Sequence, residues 1–192
     1  MRLFTAISLP QEILLRLDRL MAALRPEALI KWSPLDNLHI TTKFIGEWPE
    51  ARVNELHAAL AEAAVRSPFE VEISGLGWFP NDRGPRVLWA GVNGGAALAQ
   101  LAREIDDRLV PLGIAREERE FSPHLTLARI KSPVPLRSLR EKVQRLQPAH
   151  IGKFEVSTLA LYRSDPGSNA SIYRKLRDYK FEATLAASST QA

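Results

Sequence analysis

The chain has no cysteine among its 192 residues. This absence excludes disulfide bonds, thiolate nucleophiles and cysteine-ligated metals, and it is typical of proteins in a reducing compartment. We therefore expect a cytoplasmic location. Stability must come from a buried core, and a hydrophobic content of 45% is sufficient to form one.

Long hydrophobic runs are also missing. No apolar stretch approaches the roughly 20 residues that a membrane-spanning helix needs. The N-terminal segment 2–9 lacks the basic leader, the long apolar centre and the small-residue cleavage site of a signal peptide. The sequence therefore predicts neither a membrane partner nor export.

The chain has no strong excess of one charge sign, since it contains 26 lysine and arginine residues and 22 acidic residues. The formal net charge of +4 favours a polyanionic partner such as RNA. The basic residues are interspersed with acidic ones, so the net charge alone decides little about function.

Histidine is scarce, with four in the chain, and two of the four occur in the same local pattern. The two copies are His39-Ile40-Thr41 and His124-Leu125-Thr126. They lie in segments 38–45 and 123–128, whose composition predicts β-strands. Side chains alternate between the faces of a strand, so the histidine and the threonine of each copy point the same way.

Two such strands side by side would place two proton carriers and two hydroxyl donors around one small anion. Histidine suits this role because its unperturbed pKa of roughly 6.5 allows both protonation states near neutrality. A single His-x-Thr would be ordinary strand sequence, and the repeat is what indicates phosphate chemistry. His57, in a predicted helix, is expected at a solvated position, and His150 at a turn or strand edge.

The remaining pattern alternates strands and helices, which predicts an α+β fold. Predicted strands cover 2–9, 38–45, 69–76, 86–92, 123–128, 153–162 and 171–183. Predicted helices cover 11–21, 49–65, 96–109 and 136–146. A mobile loop is expected at 78–85, a turn at 165–169 and a frayed tail after Leu185. We expect residues 1–192 to form a single bilobal domain, with one His-x-Thr on each side of a central cleft.

The order and spacing of these segments resemble the 2H phosphoesterase superfamily, which is named for its two histidines. Further segments resemble its RNA 2′,3′-cyclic phosphodiesterase branch, also described as 2′-5′ RNA ligases. The segments that carry the resemblance are 2–10, 37–46, 86–91, 121–129 and 161–164. The resemblance spans nearly the whole chain. It implies two antiparallel-rich sheets with outer helices, related by a pseudo-two-fold axis.

The resemblance also implies an activity, namely hydrolysis of the 2′,3′-cyclic phosphate at an RNA end to a 2′-phosphomonoester. His39 would give a proton to the departing 3′-oxygen, and His124 would accept one from the attacking water. The same two groups could exchange roles in reversible 2′-5′ RNA ligation. Thr41 and Thr126 would donate hydrogen bonds to phosphoryl oxygens, a contribution of about 3–4 kcal/mol each. No metal or cofactor is expected, because two histidines with two threonines ligate metals poorly.

Phe44 and Arg129 stand five positions after the two histidines. The resemblance suggests that these residues flank a nucleobase, where stacking contributes roughly 1–3 kcal/mol. An odd offset in an unbroken strand places them on the face away from the histidines. Only a bulge, a twist or a strand end would place both residues on the face of the histidines. The alternative for Phe44 is a position in the core.

Two other functions stay open at this stage. The first is a 2H phosphodiesterase acting on small cyclic nucleotides or ADP-ribose cyclic phosphate. The second is a non-catalytic RNA-binding module, in which loss of a histidine would be expected, although both histidines are present here. Segment 165–170 corresponds to a variable loop of the family, so the sequence does not predict which length of RNA the protein prefers. A monomer is expected.

Overall fold

The computed structural model describes residues 1–168 and 170–182 and shows an α+β fold. The strands are β1 (Arg2–Ser8), β2 (Lys31–Trp32), β3 (His39–Glu47), β4 (Phe69–Phe79), β5 (Val87–Asn93), β6 (His124–Arg129), β7 (His150–Val156), β8 (Thr158–Asp165) and β9 (Ile172–Lys180). The α-helices are α1 (Gln11–Leu24), α2 (Val53–Ala63), α3 (Gly95–Leu109) and α4 (Arg137–Arg145). Short 3₁₀ helices span Arg25–Glu27, Leu35–Asn37, Glu50–Arg52 and Val110–Leu112.

The strands form two antiparallel sheets, as far as the described residues show. One has the order β3-β1-β8-β9 and the other β2-β6-β5-β4-β7. The two His-x-Thr strands, β3 and β6, therefore belong to different sheets. The predicted fold class, with two antiparallel sheets and outer helices, is confirmed.

The helices pack through apolar residues spaced three or four apart, which places those residues on one face. In α1 the buried residues are Ile13, Leu17, Met21 and Leu24. In α3 they are Leu98, Leu101, Ala102, Ile105 and Leu109. Each large side chain that is removed from water contributes about 1.5–3 kcal/mol to folding. The burial of these apolar side chains holds the helices against the sheets.

One hydrophobic cluster includes residues from both sheets. Leu3, Ile7 and Ile40 belong to the first sheet, and Ile73, Leu88 and Leu125 belong to the second; all are at most 1% exposed. Because both sheets contribute to the same core, separating them would expose apolar surface. This shared core supports our proposal that residues 1–192 form one bilobal domain.

A buried ion pair ties β3 to the helical layer. The Lys43 ammonium donates hydrogen bonds to the Asp106 carboxylate of α3 and, over 2.8 Å, to the Ala115 carbonyl. The Lys43 side chain is 5% exposed. The other oxygen of Asp106 accepts a hydrogen bond from the Glu117 backbone N–H at 2.9 Å. The pair thereby also anchors the segment that leads to β6.

The predicted strand 153–162 is wrong as a single element, because the chain changes sheets at Ser157. β7 pairs with β4 in the five-stranded sheet, whereas β8 pairs with β1 in the four-stranded sheet. The apolar pattern continues across the break, since both strands contribute to the shared core. The sheets therefore do not correspond to the two halves of the chain.

The remaining differences are at element ends. β2 was not predicted, because two residues are too few to show a period. β4 continues to Phe79, so the predicted loop begins later than expected: Trp78 pairs with Leu88 and Phe79 with Val87. Asn169 of the predicted turn, Ala183 of the last predicted strand and the tail after Leu185 lie outside the described residues.

Candidate active site

The two histidines occupy equivalent places, each as the first residue of its strand. The Nδ1–H of His39 donates to the Asn37 carbonyl and the Nδ1–H of His124 donates to the Ser122 carbonyl, both over 2.8 Å. A carbonyl can only accept, so Nδ1 carries the hydrogen in both rings. Nε2 is therefore the atom that gains or loses a proton in each histidine.

The four side chains of the two His-x-Thr copies line one cavity of about 640 Å³ between the sheets. His39 and Thr41 reach it from β3, and His124 and Thr126 reach it from β6. Two imidazoles and two hydroxyls thus face one space, which can hold a phosphoryl group between proton carriers and hydrogen-bond donors.

A bulge follows the threonine in both strands. In β3, Thr41 is opposite Ala6 and Lys43 is opposite Thr5, which leaves Thr42 as the extra residue. In β6, Thr126 is opposite Trp89 and Ala128 is opposite Leu88, which leaves Leu127 as the extra residue. An extra residue in one strand interrupts the alternation of faces. The residue five positions after each histidine therefore lies on the same face of the strand as that histidine.

Phe44 and Arg129 line the cavity as a result of these bulges. Phe44 is 65% exposed, so the alternative that it lies in the core is wrong. Arg129 is also exposed and is opposite Val87 at the end of β6. An aromatic ring and a guanidinium plane are both able to stack on a nucleobase.

Aromatic rings surround His39. Its ring centroid lies 4.8 Å from that of Phe4, 5.2 Å from that of Tyr173 and 6.1 Å from that of Tyr162. The Tyr162 hydroxyl is hydrogen-bonded to the Ser8 hydroxyl at 2.8 Å, which fixes the ring that stacks on Phe4. Phe4 and Tyr173 could not be predicted from the sequence as site residues, because nothing local relates either one to the His-x-Thr pattern.

Burial is the main reason that the pKa of His39 is lowered to about 4. The hydrogen bond to the Asn37 carbonyl acts in the opposite direction, and the positive charges of His124 and Arg129 lower the pKa further. His39 is therefore neutral at pH 7 in the free protein. His124 contacts Phe79 edge-on, at a centroid distance of 4.9 Å.

The other two histidines lie outside this cavity. His57 of α2 is partly buried, and its Nδ1 is hydrogen-bonded to the Tyr179 hydroxyl at 2.6 Å. His150 begins β7, and its side chain is 71% exposed. His150 thus occupies the strand edge that we expected, whereas His57 is less solvated than expected.

The cavity lining is positively charged. Its cationic side chains are Arg2, Lys31, Arg129 and Lys131, and no aspartate or glutamate is among the described lining residues. Such a lining attracts anions. Within residues 1–168 and 170–182, no three His, Cys, Asp or Glu side chains are grouped so that they could hold a metal ion. No helix in the same part of the chain is long and apolar enough to cross a membrane.

Comparison with protein families gives a match to the model of the 2′-5′ RNA ligase superfamily over residues 10–168. A protein named RNA 2′,3′-cyclic phosphodiesterase from Methanocaldococcus jannaschii is 32% identical over 179 residues, which cover 93% of this chain and 100% of the relative. One of the same name from Archaeoglobus fulgidus is 31% identical over 180 residues, which cover 94% of this chain and 100% of the relative.

Solved structures agree with the sequence comparison. The protein TT0787 of Thermus thermophilus superposes with a TM-score of 0.83 and 30% identity, covering 96% of this chain and 100% of that one. Apo LigT of E. coli superposes with a TM-score of 0.72 and 26% identity, covering 94% of this chain and 97% of that one. LigT was also solved in complex with 3′-AMP, and that structure has a TM-score of 0.71 to this chain at 26% identity, with 94% of this chain and 97% of that one covered.

Proposed function

Because the chain belongs to the 2′-5′ RNA ligase superfamily, we propose that it is an enzyme that hydrolyses the 2′,3′-cyclic phosphate at an RNA end to a 2′-phosphomonoester. The observation that carries this proposal is that both His-x-Thr copies face one cavity, whose described lining residues include no aspartate or glutamate. The relatives named RNA 2′,3′-cyclic phosphodiesterase support the same reaction.

Hydrolysis needs a base for the attacking water and an acid for the 3′-oxygen that departs from phosphorus. Nε2 of His124 accepts the proton of water, whose oxygen forms a bond to phosphorus. The bond between phosphorus and O3′ breaks, and Nε2 of His39 gives its proton to O3′. The assignment of the two roles follows the family resemblance.

The low pKa of His39 in the free protein is compatible with a donor role. The cyclic phosphate is an anion, and a negative charge next to an imidazole favours its protonated form. His39 therefore takes up its proton as the substrate binds. The hydroxyls of Thr41 and Thr126 donate hydrogen bonds to the non-bridging oxygens, where charge accumulates in the transition state.

The proposal includes catalysis without a metal, because two imidazoles supply both proton transfers. RNA is the preferred substrate, with Phe44 and Arg129 on either side of the terminal base and the cationic lining near the backbone phosphates. A single chain provides both histidines, so we propose a monomer. We also propose a cytoplasmic location, because a chain without cysteine is typical of a reducing compartment.

Incubation with an RNA that ends in a 2′,3′-cyclic phosphate, in excess EDTA, tests the proposal. We expect a 2′-phosphate product, and a loss of at least about 100-fold in kcat for both His39→Ala and His124→Ala. His150→Ala is the matched control, because His150 lies outside the cavity, and it should keep full activity. A requirement for added metal, a 3′-phosphate product or activity that survives either substitution contradicts the mechanism.

A substrate with sulfur in place of O3′ separates the roles of the two histidines. A thiolate leaves without being protonated, so the acid becomes dispensable and the base does not. We expect the 3′-thio cyclic substrate to restore most of the activity of His39→Ala and little of that of His124→Ala. The reverse result would exchange the two assignments.

A further inference from the structure

The bulge of β3 also decides where Lys43 points. In an unbroken strand, Lys43 would share the face of His39 and Thr41, because it lies two positions after the threonine. The extra residue Thr42 interrupts the alternation of faces before Lys43. Lys43 is accordingly absent from the described lining of the first cavity, and it lines a second cavity of about 880 Å³. The bulge that brings Phe44 to the histidines thus turns a cationic side chain away from them.

The charge of Lys43 is buried and needs partners. A buried ammonium destabilises a protein unless it is paired and hydrogen-bonded. The Lys43 ammonium donates to the Asp106 carboxylate of α3 and, over 2.8 Å, to the Ala115 carbonyl. The other Asp106 oxygen accepts a hydrogen bond from the Glu117 N–H at 2.9 Å. The ion pair therefore binds two backbone groups that lie two residues apart in one segment.

That segment, residues 114–123, forms neither a helix nor a strand and leads directly into His124. Among the described residues, only Lys43 and Asp106 form hydrogen bonds that join the backbone of residues 115–121 to other elements. Irregular segments open easily when few bonds tie them to the rest of the fold. The ion pair is thus the main polar anchor of this segment.

Other restraints on the segment are few. Arg116 pairs with Asp107, but both side chains are more than half exposed, and such pairs contribute little. Phe121 packs against the hydrophobic core. The segment also borders the second cavity, so it has no packed side chains on that side. Its residues in the cavity lining are Glu117, Arg119, Glu120, Phe121 and Ser122.

The end of the segment controls the orientation of His124. The Ser122 carbonyl accepts the Nδ1–H of His124 over 2.8 Å, and this bond determines that Nε2 is the nitrogen that exchanges a proton. The corresponding acceptor for His39 is the carbonyl of Asn37, which lies in the 3₁₀ helix Leu35–Asn37. The acceptor for His39 is therefore part of a regular element, whereas that for His124 lies on the irregular segment.

We propose that Lys43 and Asp106 are positioning residues for His124. Their ion pair fixes the backbone at Ala115 and Glu117, and thereby places the Ser122 carbonyl that keeps Nε2 of His124 toward the attacking water. This inference rests on the proposed role of His124 as the base. A misplacement of about 1 Å can lower a rate by about 100-fold. The effect falls on kcat and not on KM, because the pair lies outside the cavity that binds the substrate.

The Lys43→Met, Asp106→Leu double variant tests the proposal. Apolar residues in place of a buried ion pair are often neutral or stabilising, so its thermal unfolding temperature should not fall. The Ala115 carbonyl and the Glu117 N–H nevertheless lose their partners. We expect kcat for hydrolysis of an RNA cyclic phosphate to fall at least about ten-fold, with less than about a two-fold change in KM.

Two further variants separate positioning from stability. Asp106→Asn leaves β3 unchanged and should reduce kcat in the same way. The matched control is the Arg66→Met, Glu104→Leu double variant. It removes another ion pair of α3, in which the nitrogen and oxygen are 3.1 Å apart and the Arg66 side chain is 11% exposed. This pair makes no described contact with segment 114–123, so kcat should stay at the wild-type value.

The tautomer of His124 gives a direct measurement on the free protein. Ring ¹⁵N NMR at about pH 8.5, where imidazoles are neutral, distinguishes hydrogen on Nδ1 from hydrogen on Nε2. Signals are assigned with the single variants His39→Gln and His124→Gln. In the Lys43→Met, Asp106→Leu variant, the hydrogen of His124 should be distributed over both nitrogens, whereas His39 should keep its hydrogen on Nδ1. A loss of stability alone would not change the tautomer of one histidine.

Three results would overturn the inference. An unchanged His124 tautomer together with a normal kcat would show that the packing of Phe121 is sufficient to hold the segment. A tautomer change at His39 instead would place the effect in β3. Recovery of the double variant with the 3′-thio substrate would likewise assign the loss to the acid. A wild-type protein that does not hydrolyse the RNA end would reject the proposed function, while the tautomer measurement would still decide the positioning of His124.

Discussion

At the scale of single residues, the histidines share a backbone hydrogen bond and differ in their surroundings. Both donate through Nδ1 to a carbonyl two residues earlier, so both present Nε2 as the proton-exchanging atom. His39 packs among Phe4, Tyr162 and Tyr173. The burial that results lowers its pKa to about 4, which couples the site to the stability of the fold.

The low pKa of His39 predicts a loss of stability in acid. The folded pKa of about 4 lies below the unfolded value of 6.5, so between these values the unfolded chain binds more protons. The stability associated with neutral His39 is complete above about pH 6.5 and falls by up to about 3 kcal/mol as the pH approaches 4. Urea denaturation at pH 7.5 and pH 4.5 should therefore show a larger loss for the wild type than for His39→Gln. Equal losses would contradict this burial effect.

The threonine hydroxyls should act on the transition state and not on folding. We expect Thr41→Val and Thr126→Val each to lower kcat by about 10²–10³-fold with the fold retained, because each removes a donor to the developing charge. Thr42→Val is the matched control. The Thr42 hydroxyl is buried and bonded to that of Thr5 at 2.7 Å, so its loss should destabilise the protein by about 1–3 kcal/mol and leave kcat unchanged. Unchanged kcat in Thr41→Val or Thr126→Val would argue against a phosphoryl contact.

At the scale of elements, the bulges of β3 and β6 decide which residues reach the cavity. Without the extra residues Thr42 and Leu127, Phe44 and Arg129 would face away from the histidines. Each bulge lies directly after its threonine, which extends the pseudo-two-fold likeness of the two strands beyond the His-x-Thr pattern.

The bulge in β3 predicts that Phe44 contributes to binding and not to stability. Phe44→Ala should raise the KM for RNA about ten-fold through lost stacking, and change the free energy of unfolding by less than about 0.5 kcal/mol. Ile40→Ala, a fully buried neighbour in the same strand, should cost about 2–5 kcal/mol of stability. Steady-state kinetics and urea denaturation of both variants check this, and a destabilised Phe44→Ala protein with normal KM would contradict it.

At the scale of the whole molecule, the cleft between the sheets concentrates positive charge. The first cavity combines four cationic side chains with the two histidines and no described acidic residue, although the chain as a whole carries only +4. Folding, rather than composition, therefore concentrates positive charge in the cleft, because it gathers basic residues from distant segments and places no described acidic residue in the lining.

This charge distribution predicts the salt dependence of substrate binding. Between about 50 and 200 mM NaCl, the KM for an oligonucleotide with a cyclic phosphate end should rise more steeply than that for a cyclic mononucleotide, because each additional phosphate contact adds to the slope. Lys31→Ala and Lys131→Ala should each reduce the slope for the oligonucleotide by about one. Identical slopes for the two substrates would instead indicate that the cavity recognises only the terminal nucleotide.

Local features of the sequence were sufficient to predict the fold class, most elements and the two His-x-Thr pairs. Strand alternation is a property of consecutive residues, so the shared face of each histidine and threonine needs no knowledge of neighbouring strands. The same local rule placed Phe44 and Arg129 on the wrong face unless a bulge intervened. It also predicted a single strand where the structure has two, β7 and β8, separated at Ser157.

Only the tertiary structure decided which strands became neighbours. The bulges are defined against β1 and β5, and the pKa of His39 is lowered by burial among rings that include Phe4 and Tyr173, from the first and the last strand. Each of these features depends on partners that are distant in sequence, and a pattern of neighbouring residues carries no information about such partners. The sequence by itself thus determined which groups we expect to perform the chemistry, and packing determined the low pKa of His39 and the orientation of both motifs toward one cavity.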